Sequence, residues 1–305
     1  MSTASLVTVP RGRPTVSFEL YPPRTPASEA TAWETVERLA AAAPDFFSVT
    51  YGASGSTRDS SRALVRRILA ETSVAPIAHL TCVGSTRAEL VQFVDELIDD
   101  GVRDFLALRG DPPADQPTWV PQPDGVNTTA ELVALIRAAE LARFGTTGVL
   151  SVAVAAYPAG VSHTRTQDVV ALRDKQAAGA DFAITQVFYD VAAYVGLVEE
   201  ARAAGVVLPL VAGIIPMTDP RRLRRLAQLT GVPVPEVLLD RLTAAADDEE
   251  RHRIGIDATV ALVEDVVSAG APGLHLFTFN QYRPALDVVE RLRRPLSTTS
   301  PRTIS

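Results

Sequence analysis

The stretch "PTVSFELYPPR", Pro14 to Arg24, decides how the rest of the chain is read. Val16, Phe18, Leu20 and Tyr21 make it a short apolar strand, and the Pro-Pro pair that follows ends it because proline cannot donate to a ladder. No G-x-G-x-x-G follows, so the loop with which a doubly wound sheet cradles phosphates after its first strand is missing. One residue is out of place: Glu19, a carboxylate near the end of an otherwise apolar strand.

Working outward from this strand (14–20), further apolar runs of strand length recur at 45–50, 75–81, 103–108, 148–155, 181–186, 208–213 and 273–277. They are continuously apolar rather than alternating, as parallel strands covered on both faces are. Helical patterns lie between them, at 28–42, 57–71, 86–100, 129–143, 167–178, 190–204 and 219–229. Ser56 and the Asp219-Pro220 pair are good helix starts, and Gly101, Gly179 and Gly205 are good stops. The last crossover holds two further helices, near 235–244 and 247–268, and a final helix runs near 283–293. Strand-then-helix repeated eight times predicts an α/β fold, a single-domain (β/α)8 TIM barrel over 14–294 with extra helices before the last strand. Residues 1–13 are expected to form an N-terminal extension and 295–305 a flexible polar tail. The doubly wound open sheet is the rival architecture.

The bulk properties narrow the function. The 305 residues are 47% apolar, enough for a large core, yet no uncharged apolar run of about 18 residues predicts a membrane span. The first residues lack the charged start and apolar centre of a signal peptide. Cys82 is the only cysteine, which precludes an internal disulfide and fits a reducing, cytoplasmic location. A net charge of −7 argues against nucleic acid as a partner. Lys175 is the only lysine, every other basic side chain being arginine. Arginine-rich codon usage explains that, as does a site needing a compact ammonium.

In a barrel the active site lies at the C-terminal strand ends. Those ends carry Glu19, Thr50 and Tyr51, His79 to Cys82, Arg109-Gly110-Asp111, Tyr157, Gln186, and Thr278 to Gln281. Glu19 is either a structural partner of Arg24 or Arg109, or a general acid whose pKa an apolar mouth would raise. His79 alone reads more readily as a hydrogen-bonded core histidine, and Asp111 as a turn or capping residue or as one that orients a polar heterocycle. Cys82 has no His or Cys at ligand spacing, and the four histidines form no metal motif, so no metal is expected. No G-x-S-x-G occurs, and a Schiff-base lysine would have to be Lys175, on a helix rather than a strand end. The residues themselves support an acid-assisted reaction on a polar organic ligand. A metal-dependent barrel lyase and a non-catalytic binding barrel are the alternatives from other classes.

"SFELYPPR", "FFSVTYGASGSTRD", "AHLTC", "ALRGDPP", "SVAVAAYP", "KQAAGADFAITQVFYD", "AGIIP" and "LHLFTFNQ", in this order, resemble the bacterial single-domain methylenetetrahydrofolate reductases. The resemblance implies a TIM barrel that reduces 5,10-methylenetetrahydrofolate to 5-methyltetrahydrofolate for methionine synthesis. It implies Glu19 as the acid that protonates folate nitrogen 10, with Asp111 facing the pterin. Gln186, Tyr51, Phe188 and Gln281 then bind substrate, while Thr50, His79, Arg109, Gly110, Tyr157, Asp168 and Lys175 contact the cofactor. Most members use FAD between NAD(P)H and the folate. Here "YPAGVSHTRT" replaces the usual loop after strand 5, Ala171 and Asp174 replace an Asn and an Arg, and Thr128 replaces an aromatic that covers the flavin. Arg222, Leu226 and Gln281 stand where Gln, Phe and Arg are usual. An anion near a pyrophosphate is electrostatically wrong for FAD. The departures resemble the flavin-independent branch, in which NADH passes hydride directly to the folate; a flavoenzyme with a remodelled pocket is the alternative. A homo-oligomer is compatible with all of this.

Overall fold

The computed structural model describes residues 2–9, 12–23, 25–51, 58–110, 123–160 and 164–293. A short helix, α1 (Thr3–Thr8), precedes β1 (Thr15–Leu20). Strand and helix then alternate through α2 (Pro26–Ala40), β2 (Phe46–Val49), α3 (Arg58–Glu71), β3 (Ala75–Thr81), α4 (Arg87–Asp99), β4 (Asp104–Leu108), α5 (Thr129–Phe144) and β5 (Ser151–Ala156). The second half follows as α6 (Arg165–Ala177), β6 (Phe182–Thr185), α7 (Val191–Ala203), β7 (Leu210–Ile214), α8 (Pro220–Thr230), α9 (Glu236–Ala244), α10 (Asp248–Ser268), β8 (Gly273–Phe277) and α11 (Tyr282–Arg293). All neighbouring strands pair in parallel and β8 returns to β1, closing the barrel. This is the (β/α)8 barrel read from the sequence, not the open sheet.

Closure explains the continuous apolar runs. One set of strand side chains, including Phe18, Phe47, Leu80, Phe105, Val154 and Leu276, packs outward in the shell shared with the helices. The alternate set, including Phe46, Ile77, Leu106, Ala153, Phe182 and Val211, fills the barrel interior. Both sets are buried, so no polar face breaks the run. Each fully buried Phe or Leu stabilises the fold by roughly 1.5–3 kcal/mol.

Two strands begin more than one residue later than expected. β5 begins at Ser151 because Gly148, at φ 89°, turns the chain in a region open to glycine. β7 begins at Leu210, immediately after Pro209, whose carbonyl accepts from Ala183.

Helix α1, for which the sequence shows no apolar periodicity, lies beneath the barrel. Its Val7 joins the interior side chains, Asp104 Oδ1 accepts from Thr3 N at 3.1 Å, and Ser151 Oγ accepts from Ala4 N at 3.0 Å. The first turn of α1 is thereby capped from inside the barrel. The expected tail 295–305 lies outside the described residues. Among those described, no helix is long and apolar enough to cross a membrane.

Candidate active site

Glu19 sits on β1 opposite Ser48 of β2 and Phe277 of β8. Strand alternation turns Phe18 and Leu20 outward and Glu19 into the mouth. The residue is 5% exposed, and its Oε1 accepts from Thr50 Oγ1 at 2.6 Å. Burial raises its pKa from 4.5 to about 7, against hydrogen bonds from Thr50 and Tyr21 that favour the anion. Near neutrality the group is therefore divided between acid and carboxylate, as a general acid should be.

The backbone of Glu19 is held from the far end of the chain. Thr278 Oγ1 donates to Glu19 O at 2.6 Å. Asn280 brackets Tyr21, its Oδ1 accepting from Tyr21 N and its Nδ2 donating to Tyr21 O, both at 2.8 Å. Phe279 stacks on Tyr21 at 5.6 Å. Phe279 and Asn280 both adopt left-handed backbone, at φ 50° and 56°. Such strain at non-glycine residues persists only where surrounding contacts hold it. The sequence reading missed this clamp; the one available signal was Asn280, a residue type that tolerates the left-handed region.

Below Glu19 the barrel is polar at a few interior positions. Ser17 Oγ lies 2.8 Å from His275 Nδ1, and Ser48 Oγ lies 3.1 Å from His275 Nε2. Ser17 uses its one hydroxyl proton on Leu274 O, so His275 donates from Nδ1 and accepts at Nε2 from Ser48. Burial pushes both His79 and His275 down to about 3, helped at His275 by His79, so both are neutral. His79 Nε2 is buried without a hydrogen-bond partner. A ligand at the mouth is one way to satisfy it.

Lys175 is reached differently from what its place in the chain suggests. It lies late in α6, but helical side chains tilt toward the N-terminus. Its ammonium thereby reaches the end of β5, donating to Ala155 O at 2.8 Å and lying 5.8 Å from the Tyr157 ring centroid. Burial lowers its pKa to about 8, partly restored by Asp168 on the same helix and lowered further by Arg109. Lys175, Tyr157, Asp168 and Arg109 thus belong to one side of the mouth. Gly110 ends that side at φ 88°, and a Cβ there would lie 3.2 Å from both Thr81 Cβ and Val83 Cβ.

The side chains expected on substrate are spread more widely. Tyr51 packs on Phe93 at 5.7 Å and accepts from Arg58 Nε. Gln186 Oε1 accepts from Val187 N at 2.8 Å. Gln281 is exposed and Oε1 accepts from Arg222 Nη1 at 3.0 Å. Phe188 is 1% exposed and stacks on Tyr194 of α7, so its ring is held in the outer shell. Asp111 lies outside the described residues. Among those described, no three His, Cys, Asp or Glu side chains are grouped to hold a metal.

Comparison with known proteins gives this geometry a family. A family model described as methylenetetrahydrofolate reductase matches residues 5–293. The chain belongs to the methylenetetrahydrofolate reductase family. It is 32% identical over 274 residues to the 5,10-methylenetetrahydrofolate reductase of Pectobacterium carotovorum, covering 89% of this chain and 87% of that one. It is 30% identical over 293 residues to the Zea mays "Methylenetetrahydrofolate reductase (NADH) 1", covering 92% of this chain and 48% of that one. Membership makes the protein an oxidoreductase. Among solved structures, a Clostridium thermocellum protein described as binding two copies of 5-methyl-5,6,7,8-tetrahydrofolic acid aligns with TM-score 0.60. That alignment covers 96% of this chain and 99% of the other at 14% identity, which speaks to the fold alone.

Within the methylenetetrahydrofolate reductase family the chain's departures now have local explanations. Thr128 is the N-cap of α5, its Oγ1 accepting from Glu131 N at 3.1 Å. Asp174 is exposed on α6, about 100° around the helix from Lys175. Arg222 and Gln281 are bonded to each other, and the Arg222 guanidinium lies 5.0 Å over the Phe279 ring. A guanidinium therefore stands at this edge of the mouth.

Proposed function

We propose that the chain reduces 5,10-methylenetetrahydrofolate to 5-methyltetrahydrofolate, with NADH as direct hydride donor, Glu19 as general acid and no flavin between them. The observation that carries the reading is the Glu19 carboxyl: buried at a strand end, hydrogen-bonded to Thr50 and held at a pKa of about 7. Glu19 gives its proton to nitrogen 10 as the bond from that nitrogen to the methylene carbon breaks. The lone pair of nitrogen 5 then forms an iminium with that carbon. Bound NADH supplies a hydride to the iminium carbon, which becomes the methyl group, and water returns a proton to Glu19. Atoms and charge balance over methylenetetrahydrofolate, NADH and one proton.

Asp111, Gln186, Tyr51 and Gln281 are assigned to the folate, whereas the Phe188 ring, stacked on Tyr194 in the outer shell, is not. Thr50, His79, Arg109, Gly110, Tyr157, Asp168 and Lys175 serve the dinucleotide. The buried ammonium of Lys175 and the unpartnered Nε2 of His79 fit a polar, anionic dinucleotide. Three positions fit FAD poorly: Thr128 is engaged as a cap, Ala171 offers no polar group, and Asp174 adds an anion. NADH over NADPH is favoured by the acidic net charge and by the name of the maize relative.

The test is a visible absorption spectrum of the purified protein together with NADH oxidation in the presence of methylenetetrahydrofolate and no added flavin. A colourless, active preparation is expected. A yellow protein whose turnover requires FAD refutes the flavin-free route, and absence of NADH oxidation under either condition refutes the whole reading.

A further inference from the structure

Burial pushes the Glu19 carboxyl up and outweighs the hydrogen bonds from Thr50 and Tyr21, which favour the anion. No charged side chain among the described residues bears on it. His275 on β8 and His79 on β3 are kept neutral by burial, and Lys175 on α6 is bonded to Ala155 O. Ser48, the register partner of Glu19 on β2, is turned to His275 Nε2. The partner on the other flank is apolar: Phe277 of β8 pairs with Glu19 in register, so both side chains leave the same face of the sheet.

The Phe277 ring is fixed from two sides. It stands edge-to-face with His275, the ring centroids 5.3 Å apart and the planes at 86°. His275 cannot move away, because Ser17 and Ser48 hold its two nitrogens and Phe46 stacks on it at 6.2 Å. To the side lies β7, where Gly213 is the register partner of His275. A Cβ on Gly213 would lie 2.8 Å from Phe277 Cε2 and 1.9 Å from Thr185 O. Gly213 has no positive φ, so close approach rather than backbone conformation is what requires glycine there. The missing Cβ admits both the end of β6 and the Phe277 ring, which is half-buried at the mouth.

We infer that Phe277 is a positioning residue for the proton donor: its ring, seated on His275 in the space left by Gly213, is the wall that keeps water from the Glu19 carboxyl on the β8 side. The inference rests on the reading of Glu19 as general acid and adds to it the group that keeps the acid dry. Phe277 takes no part in bond making and acts only through Glu19. Its ring has no polar atom, so it offers the anion nothing in place of the water it excludes. Truncating the ring opens room for water beside the carboxyl, and water solvates the carboxylate better than the acid.

Wild type, Phe277→Ala and Phe277→Val are each prepared with and without Glu19→Gln. Melts at about pH 4 and about pH 9 give the alkaline gain in Tm that Glu19→Gln confers on each parent. NADH oxidation with methylenetetrahydrofolate gives kcat/KM against pH. In Phe277→Ala the alkaline limb should move down from about 7 by about one pH unit, because a hydrated carboxyl ionises earlier. Its loss of kcat/KM should then be roughly fourfold greater at about pH 7 than at about pH 5.5. The alkaline gain from Glu19→Gln should shrink by at least about a third relative to wild type. Phe277→Val, which suits a strand, should move both readouts the same way by about half as much, and it decides the matter if the alanine variant does not fold. A mere loss of packing would lower Tm alike at both pH values. An alkaline gain that does not shrink overturns the inference, whatever the fall in Tm. A smaller gain with an unmoved limb places Phe277 in stability alone and overturns it as well. If wild type itself oxidises no NADH, the folate reading falls, while the melts still show whether Phe277 shields Glu19.

Discussion

Replacing Glu19 with glutamine should separate stability from activity in a way few substitutions can. Burial moves the carboxyl from 4.5 to about 7. At roughly 1.4 kcal/mol per tenfold change, the folded protein resists ionising this group by about 3 kcal/mol. The sign follows from linkage. Below 4.5 the group is protonated in both states and its contribution to stability is fully present. As pH rises toward 7 the unfolded chain ionises while the folded one does not, and that contribution is lost by the time the folded carboxyl titrates. Glutamine keeps an acceptor for Thr50 Oγ1 and never ionises. Glu19→Gln should therefore match wild type near about pH 4 and exceed it by about 3 kcal/mol near about pH 9, roughly 5 °C or more in Tm. Turnover should fall at least about a hundredfold, because nitrogen 10 loses its proton donor. Wild-type kcat/KM should decline above about 7 as Glu19 ionises, and the variant's residual rate should lack that limb. Denaturant melts across pH and NADH oxidation provide the readouts. A variant no more stable than wild type at alkaline pH, or one retaining more than a tenth of wild-type turnover, refutes the reasoning.

Three further outcomes follow from neighbouring contacts. Thr50→Val removes a hydrogen bond that favours the Glu19 anion, so the alkaline limb of the rate profile should move up by about half a pH unit; an unmoved limb contradicts this. Lys175→Met removes a buried ammonium whose stability contribution is lost as pH falls through about 8. At neutral pH the variant should melt no lower than wild type, while NADH titration shows about tenfold weaker binding; lower stability with unchanged binding would make Lys175 purely structural. Gly213→Ala places a Cβ 1.9 Å from Thr185 O and 2.8 Å from the Phe277 ring, and should cost about 3 kcal/mol or more, read as a lower Tm or loss of soluble protein.

The barrel was legible because closed parallel sheets leave a repeating trace: an apolar run, a capped helix, a glycine stop. That same double burial hid which side of each strand faces inward, so Ser17, Ser48 and His275 gave no sign of meeting inside the barrel. Helix α1 was invisible because its start is capped by Asp104 and Ser151, more than a hundred residues away in sequence. Glu19 stood out because a charge in an apolar run needs a reason. Lys175 was misjudged by its backbone position, since its reach to β5 comes from side-chain direction alone. Phe188 carried a family role in its sequence context, yet in this structure its ring stacks against Tyr194.

The clamp on Glu19 also bears on how this enzyme comes into being. The acid lies near the beginning of the chain, but Thr278 and Asn280, which fix its backbone, follow some 259 residues later. On the ribosome, the proposed proton donor is made early and aimed last. Contacts of such sequence separation form late in folding. In a refolding experiment, regain of turnover thus times the joining of the last strand to the first, whereas helical circular dichroism, recovering sooner, times the collapse that precedes it.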